Sequence, residues 1–214
     1  MIKDKQEIIE KIRGKKGIIS DMDGVIYHGN KLLPGAKKFV EWLKNENKSF
    51  VFLTNASERT PRELQEKLSR LGIEVGHEHF YTSALATATF LASQKENGSA
   101  YIIGEAGIIN ALYDVGYSMN NINPDYVVIG DTHSYNYEKV VTASRLVRDG
   151  AKLIGTNPDI TGPSEQGIIP ATKALVAPIE LATGKPAYYI GKPNPLMMRI
   201  ALKKLGQQRE DILI

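Results

Sequence analysis

Short apolar runs alternate with longer amphipathic segments over most of the chain. The run Gly17-Ile18-Ile19 ends in polar residues, and so does Phe50-Val51-Phe52-Leu53. Uninterrupted apolar runs of this length are typical of strands buried in a parallel sheet. Between them, residues 34–47 carry apolar side chains every three or four positions, which predicts a helix that packs on a sheet. This alternation predicts an α/β fold.

Flanking segments add helices with recognisable ends. Ile8, Ile9 and Ile12 have helical spacing, so we expect an amphipathic helix before the first strand. The segment Thr60-Pro61-Arg62-Glu63 combines a capping threonine, a proline at the first helical position and an acid three residues after the cap. A third helix is therefore predicted to begin there and to end near Gly72.

The pattern starts again at Ser83 with a helix followed by further apolar runs. These predicted strands are 100–104, 126–130 and 152–155, and helical stretches separate them, so a second α/β unit is expected. Near the end of the chain, 188–190 is predicted to be another strand, and residues 211–214 begin one more. Asn194-Pro195 is predicted to cap a helix that runs through Leu205.

Composition and charge exclude several functional classes. With 214 residues, 42% of them hydrophobic, the chain can bury a substantial core. The net charge of +3 comes from lysines interleaved with acids, so no nucleic-acid partner is expected. Cysteine is absent, which excludes thiolate catalysis and cysteine-based metal sites. Without an apolar signal or a membrane-spanning run, we expect a soluble, cytoplasmic protein with no membrane partner.

Two carboxylates stand directly after the first predicted strand. Asp21 and Asp23 are two residues apart, so on a continuous strand they would share one face and could meet one cation. A hard ion such as Mg²⁺ prefers oxygen ligands. The alternative is a solvated turn, because Asp-Gly is a common turn dipeptide. An EF-hand is excluded, since Val25 and Ile26 occupy positions that should be polar.

Polar groups also follow two other apolar runs. Thr54 and Asn55 end the second run, and Lys192 follows the run at 188–190. If these strands are neighbours in one parallel sheet, the acids, the donors and the lysine converge at a single edge. That set suits phosphoryl transfer, in which a carboxylate attacks phosphorus and cations offset the developing charge.

These motifs, in this order, resemble those of the haloacid dehalogenase superfamily of phosphatases, and specifically its NagD-like branch. The matching segments are 21–25, 53–55, 80–83, 123–126, 155–159 and 191–193. The resemblance implies a Rossmann-like parallel-sheet core with an inserted α/β cap. The core would comprise 1–82 and 184–214, and the cap 83–183, which would exclude water and select the substrate.

The resemblance also implies a role for each motif residue. Asp21 is expected to be the nucleophile and Asp23 the general acid and base. Asp21, together with the backbone carbonyl of Asp23, is expected to hold Mg²⁺. Thr54 and Asn55 would bind the transferring phosphoryl group, and Lys192 would pair with Asp21 and phosphate. This division of labour agrees with the need for positive charge beside a phosphate dianion.

Three further residues are expected to contact the substrate. Gly24 belongs to the first motif, and Asn157 and Asp159 match the substrate-facing loop of the family. An ordinary Asn-Pro-Asp turn remains the alternative for the last two residues.

The chain departs from the family pattern at its C-terminal end. NagD-like proteins continue from the last strand into a Gly-Asp motif whose acids complete the magnesium shell, whereas this sequence ends at Ile214. Asp211 is not assigned to that role. We therefore expect a truncated core, a longer natural protein and weakened Mg²⁺ binding in this 214-residue form.

The leading interpretation is a Mg²⁺-dependent phosphomonoester hydrolase that acts on nucleotide monophosphates or sugar phosphates. The alternative is a non-catalytic or weakly active protein that binds phosphometabolites on the same scaffold. A dinucleotide-dependent oxidoreductase is disfavoured, because the Gly104–Gly107 segment lacks the fingerprint spacing. A homo-oligomer formed through the cap is also expected.

Overall fold

A computed structural model describes residues 5–164 and 167–214. Residues 1–4 and 165–166, which fall in the predicted core and cap respectively, lie outside the described residues. The described part contains eight helices: α1 Lys5–Arg13, α2 Ala36–Asn45, α3 Pro61–Arg70, α4 Ser83–Gln94, α5 Ala106–Asp114, α6 Tyr137–Arg148, α7 Thr172–Thr183 and α8 Pro195–Leu205. Over these ranges no helix combines the length and apolar character needed to cross a lipid bilayer.

The same described ranges contain thirteen strands, several of them only two residues long. The first six are β1 Gly17–Ser20, β2 Tyr27–His28, β3 Lys31–Leu32, β4 Ser49–Thr54, β5 Phe80–Thr82 and β6 Ser99–Ile103. The others are β7 Ser118–Met119, β8 Tyr126–Ile129, β9 Lys152–Gly155, β10 Thr161–Ser164, β11 Gly167–Pro170, β12 Tyr188–Tyr189 and β13 Ile212–Leu213.

The first sheet has the order β13-β1-β4-β5, and every pairing in it is parallel. Ile18 of β1 lies opposite Phe50 of β4 on one side and Leu213 of β13 on the other. All four residues of β1 are buried, as its apolar sequence predicts. Because the strands are parallel, the segments after β1 and β4 emerge at the same edge of the sheet.

The second sheet has the order β12-β9-β8-β6-β7 and is also parallel throughout. Tyr188 in β12 lies opposite Ile154 in β9, and Gly191 N donates to Thr156 O at 2.8 Å just beyond the strand. The strand before Lys192 is therefore not a neighbour of β1 and β4, so the condition under which the convergence was predicted is not met. The predicted boundary between cap (83–183) and core (184–214) assigns β12 to the core, although β12 pairs with β9 in the second sheet. The division into core and cap stays a prediction.

Both helix starts indicated by the sequence are confirmed. Thr60 Oγ1 accepts from Glu63 N at 3.2 Å while Glu63 Oε2 accepts from Thr60 N at 2.7 Å, which completes a capping box. Asn194 Oδ1 accepts from Leu196 N at 3.0 Å at the start of α8. These bonds satisfy backbone donors that the helices leave unpaired and fix where α3 and α8 begin.

Helix α4 packs into a hydrophobic core that both sheets share. Ala84, Ala86, Ala88 and Leu91 are buried in one cluster with residues of β1, β4, β6 and β8. Alanine side chains allow the backbone of α4 to come close to neighbours on several sides. The shared core places the loops of the two sheets against each other.

Candidate active site

The loop after β1 presents two carboxylates on either side of a buried anchor. Met22 is fully buried, whereas Asp21 and Asp23 are exposed, so the two acids point away from the side that packs. Asp21 Oδ1 accepts from Met22 N at 2.8 Å. Gly24 adopts φ +75° and donates its N–H to Tyr27 O at 2.9 Å, which turns the chain immediately after the acids. Glycine adopts this left-handed conformation without the strain of a side chain.

Lys192 reaches across from the second sheet to the first acid. Its Nζ lies 2.7 Å from Asp21 Oδ2 and also donates to Leu53 O at 3.1 Å. The lysine side chain is 22% exposed and that of Asp21 is 47% exposed, so the pair is partly open to solvent. We refer to the region around Asp21, Leu53 and Lys192 as the cleft. Although β12 belongs to the other sheet, the predicted convergence of lysine and acid is present.

The side chain of Asn55 binds the backbone of Lys192 and so holds that residue in place. The Asn55 Oδ1 accepts from Lys192 N at 2.7 Å, and Nδ2 donates to Lys192 O at 3.0 Å and to Asp159 Oδ2 at 2.9 Å. A Cβ at Gly191 would lie 2.8 Å from Asn55 Oδ1 and 2.7 Å from Asn157 Cβ, so only glycine allows this close approach. The Asn55 amide therefore binds protein on both sides, and its expected contact with phosphate stays a prediction.

Thr54 ends β4 directly after Leu53, whose carbonyl oxygen accepts from Lys192 Nζ. The residue is 2% exposed, and its Oγ1 accepts from Ala56 N at 3.1 Å. An oxygen that accepts this bond keeps its hydroxyl proton available to donate. The arrangement is compatible with the predicted donation to a phosphoryl oxygen.

The second acid has an altered proton affinity. Although part of its surface is exposed, the partial burial of Asp23 raises the pKa of its carboxyl group above the usual range, and the nearby Asp21 carboxylate raises that pKa further. Lys67 and Arg59 lower it in part. A carboxyl group with a raised pKa keeps a proton at higher pH and can give it to a leaving group.

Asn157 and Asp159 follow β9 but occupy different environments. Asn157 is 1% exposed, and its Nδ2 donates to Asn55 O at 2.9 Å and to Asp131 Oδ2 at 3.0 Å. Its amide therefore faces inward and supports the Asn55 loop, and the expected contact of Asn157 with substrate stays a prediction. Asp159 is exposed beside Asn55, and its expected contact with substrate stays a prediction.

Asp131 is the centre of a polar network that the sequence did not reveal. Its Oδ2 accepts from Ser57 N at 3.2 Å and Ser57 Oγ at 3.1 Å, and its Oδ1 accepts from Thr172 N at 3.0 Å and Thr172 Oγ1 at 2.8 Å. Ala171, the N-cap of α7, provides no capping side chain, so Asp131 satisfies a donor at that helix start. The carboxylate thus links the loop after β4 to the second sheet.

One sequence signal could have pointed to Asp131. Like Asp21, it follows a fully buried strand, in this case β8. Ser57 and Thr172 carried no such signal, because each is a small polar residue in a loop or at a helix start. Both are completely buried, and their roles depend on the contact between the two sheets.

Asp131→Asn is expected to lower the free energy of unfolding by about 2–4 kcal/mol. With Asn157 included, five donated hydrogen bonds end on this carboxylate. The NH₂ group of an asparagine side chain would face some of the N–H and O–H groups that now donate to Asp131, and those donors would lose their acceptor. Urea denaturation measures the change.

Asp114→Asn is the matched control, because Asp114 is exposed at the end of α5 and outside the network. Its effect should stay within about 0.5 kcal/mol. Equal stabilities of the two variants would show that the Asp131 network does not stabilise the fold.

The donors around Asp21 suit a hard cation in type. Each carboxylate oxygen of Asp21 accepts one hydrogen bond, from Met22 N or from Lys192 Nζ, and has a second lone pair. Mg²⁺ is commonly held by one or two carboxylates, with water completing the shell. In residues 5–164 and 167–214 no group of three or more acidic or histidine side chains is placed to hold a metal. The side chains therefore fit Mg²⁺ as a partial shell.

Comparison with known proteins shows which family this chain resembles. Residues 18–118 match the family described as haloacid dehalogenase-like hydrolase. The chain is 46% identical over 192 residues to dihydroxyacetone phosphatase of Corynebacterium glutamicum (strain R), covering 90% of this chain and 70% of the relative. It is 40% identical over 199 residues to ribonucleotide monophosphatase NagD of Escherichia coli (strain K12), covering 93% and 78%.

A solved structure agrees. The 4-nitrophenylphosphatase from Thermotoga maritima superimposes with a TM-score of 0.89 at 33% identity, over 94% of this chain and 78% of that one. The chain therefore belongs to the haloacid dehalogenase-like hydrolases, as a phosphatase of their NagD-like branch. The resemblance drawn from its motifs is confirmed.

Proposed function

We propose that the protein hydrolyses phosphomonoesters with the help of Mg²⁺ through an aspartyl-phosphate on Asp21. The observation that carries this proposal is the 2.7 Å contact between Lys192 Nζ and the partly exposed Asp21 Oδ2. A carboxylate that approaches a phosphate dianion is repelled unless positive charge lies beside it. Lys192 supplies that charge where the attack begins.

In the first half-reaction, a carboxylate oxygen of Asp21 forms a bond to phosphorus while the bond to the ester oxygen breaks. The Asp23 carboxyl gives its proton to the departing oxygen, and the direction of its pKa shift supports this role. The Thr54 hydroxyl donates to a phosphoryl oxygen, and the proton it keeps free while accepting from Ala56 N supports this role. The alcohol leaves, and Asp21 carries the phosphoryl group.

In the second half-reaction, water attacks phosphorus and the Asp23 carboxylate accepts its proton. The Asp21–phosphorus bond breaks, which regenerates the carboxylate and releases inorganic phosphate. The Asp21 carboxylate and the Asp23 backbone carbonyl would hold Mg²⁺. When bound, this ion supplies further positive charge against the phosphate oxygens.

The substrate class is proposed from the named relatives and from the exposed polar groups of the site. Relatives named ribonucleotide monophosphatase and dihydroxyacetone phosphatase support nucleotide monophosphates and small sugar phosphates. Asp159 lies exposed beside Asn55, where it would accept hydrogen bonds from substrate hydroxyl groups. A cytoplasmic location and a homo-oligomer formed through the cap stay predictions.

Phosphate release in the presence and absence of metal tests the proposal. The full-length natural protein should hydrolyse 4-nitrophenyl phosphate, a nucleoside monophosphate and dihydroxyacetone phosphate. Chelation with EDTA is expected to lower turnover by at least about tenfold, and added Mg²⁺ should restore it. Unchanged turnover in EDTA would contradict the metal requirement. Calorimetric binding of these esters without turnover in Mg²⁺ would select the non-catalytic alternative.

A further inference from the structure

A cavity of about 500 Å³ lies away from the acids, between the C-terminal part of α4 and the edge of the second sheet. Gln94 of α4, Lys152 of β9 and Tyr188 of β12 line it, together with Arg148 and Lys185 at the ends of α6 and α7. This volume falls within the usual range for small-molecule sites.

The cavity is at the opposite end of the second sheet from the cleft. Tyr126 and Lys152, which line the cavity, begin β8 and β9, whereas Asp131 and Asn157 follow the other ends of these strands. Four strand residues separate the two ends by roughly 13 Å. Binding in the cavity would therefore not occupy the site built around Asp21.

The charge of the lining has one sign. Arg148, Lys152 and Lys185 are exposed around the cavity, and none of its lining residues is acidic. Over the described ranges, no carboxylate lies within ion-pairing distance of these three cations; the neighbouring Asp149 lies 3.8 Å from Arg145 instead. Three uncompensated cations around one concave surface create a positive potential that attracts anions.

The remaining lining is apolar and partly aromatic. The rings of Phe90 and Tyr188 stack with centroids 5.4 Å apart, and Leu153 and Ile154 are buried behind the cavity. Aromatic faces and aliphatic side chains favour a flat apolar group. The cations alone would suit any anion, but this wall adds a preference for an amphipathic one.

We propose that this cavity binds a small amphipathic anion, in which a flat aromatic or apolar body carries a carboxylate, sulfonate or phosphate group. The acid group contacts Lys152, Lys185 and Arg148, and the apolar body lies against the Phe90 and Tyr188 rings. The inference does not depend on the proposed catalytic mechanism, because it uses none of the residues around Asp21.

Calorimetric titration with anilinonaphthalene sulfonate, an aromatic sulfonate, tests the proposal. Replacing Lys152 and Lys185 together by Ser is expected to weaken binding by about tenfold or more. The matched control replaces the exposed Lys203 and Lys204 of α8 by Ser, which removes the same charge elsewhere and should leave the affinity unchanged.

A second variant keeps all three cations and reduces the space. Gln94 is exposed on α4, so Gln94→Trp should fold normally while its ring fills the cavity and abolishes binding. Equal weakening by the two lysine pairs would show attraction to net charge alone and overturn the proposal. Full affinity in Gln94→Trp would place the dye elsewhere and overturn it as well.

Discussion

Asp21→Asn is expected to lower kcat for 4-nitrophenyl phosphate about ten-thousand-fold. The amide oxygen of asparagine is a poor nucleophile, so no aspartyl-phosphate forms. The substitution also turns either an amide nitrogen or a neutral oxygen toward Lys192 Nζ, which now lies 2.7 Å from Asp21 Oδ2. Steady-state kinetics in saturating Mg²⁺ measure the loss, and acid quenching followed by mass spectrometry detects phosphoryl groups on the peptide that contains Asp21.

Asp149→Asn is the control for this variant, since Asp149 is exposed near the end of α6 and far from the cleft. It should retain the activity of the unsubstituted protein. If Asp21→Asn turned over substrate as fast as the control, the nucleophile would be another group and the proposed reaction would be wrong.

Lys192→Met is expected to reduce kcat about a hundredfold to a thousandfold, because it removes the cation beside the attacking oxygen. The hydrogen bonds from Lys192 Nζ to Asp21 and to Leu53 O are lost together. The ion pair is partly exposed, so the stability of the fold should change by no more than about 1 kcal/mol. Kinetics and urea denaturation of the same preparation separate the two effects.

Lys203→Met removes an exposed lysine from α8 and should leave kcat unchanged. Lys192→Arg restores the charge in a broader planar group, so it should recover part of the activity. A Lys192→Met variant in which only KM rises would mean that the lysine binds the ground state and the transition state equally well. That outcome contradicts its proposed role.

Local rules account for the parts of the fold that were predicted correctly. The apolar runs before Asp21 and Asn55 are buried parallel strands, since only such strands need apolar side chains on both faces. Thr60 and Asn194 begin helices because their side chains satisfy nearby backbone donors. Each of these features depends on residues close together in the chain.

Pairing between distant strands was not predictable in the same way. The run that contains Tyr188 and Tyr189 is apolar enough for either sheet, and no local pattern distinguishes a partner at Ile154 from one in the first sheet. The outcome depends on how the two units pack. Lys192 nevertheless reaches Asp21, because both sheets direct the carboxyl ends of these strands to the same region.

For individual polar residues too, position along a strand was predictable from nearby sequence, whereas contacts with distant residues were not. Asp21 and Asp23 lie at the cleft as expected, since a strand end placed them there. Asn157 resembled them in sequence, yet its amide turned inward to Asn55 O and Asp131. Whether a polar side chain faces solvent or protein depends on which donors and acceptors the rest of the fold leaves unpaired.

The attachment of Lys192 to the end of β12 limits how the cleft can open. A rigid swing of the second sheet away from the first would carry the ammonium group away from Asp21 and would break the Asn55 hydrogen bonds to the Lys192 backbone. A swing of the second sheet large enough to release product and admit substrate would therefore also remove the positive charge that assists the Asp21 nucleophile. The same hinge motion would then control both substrate entry and catalysis. The Asp21 carboxylate would have Lys192 beside it only in the closed state.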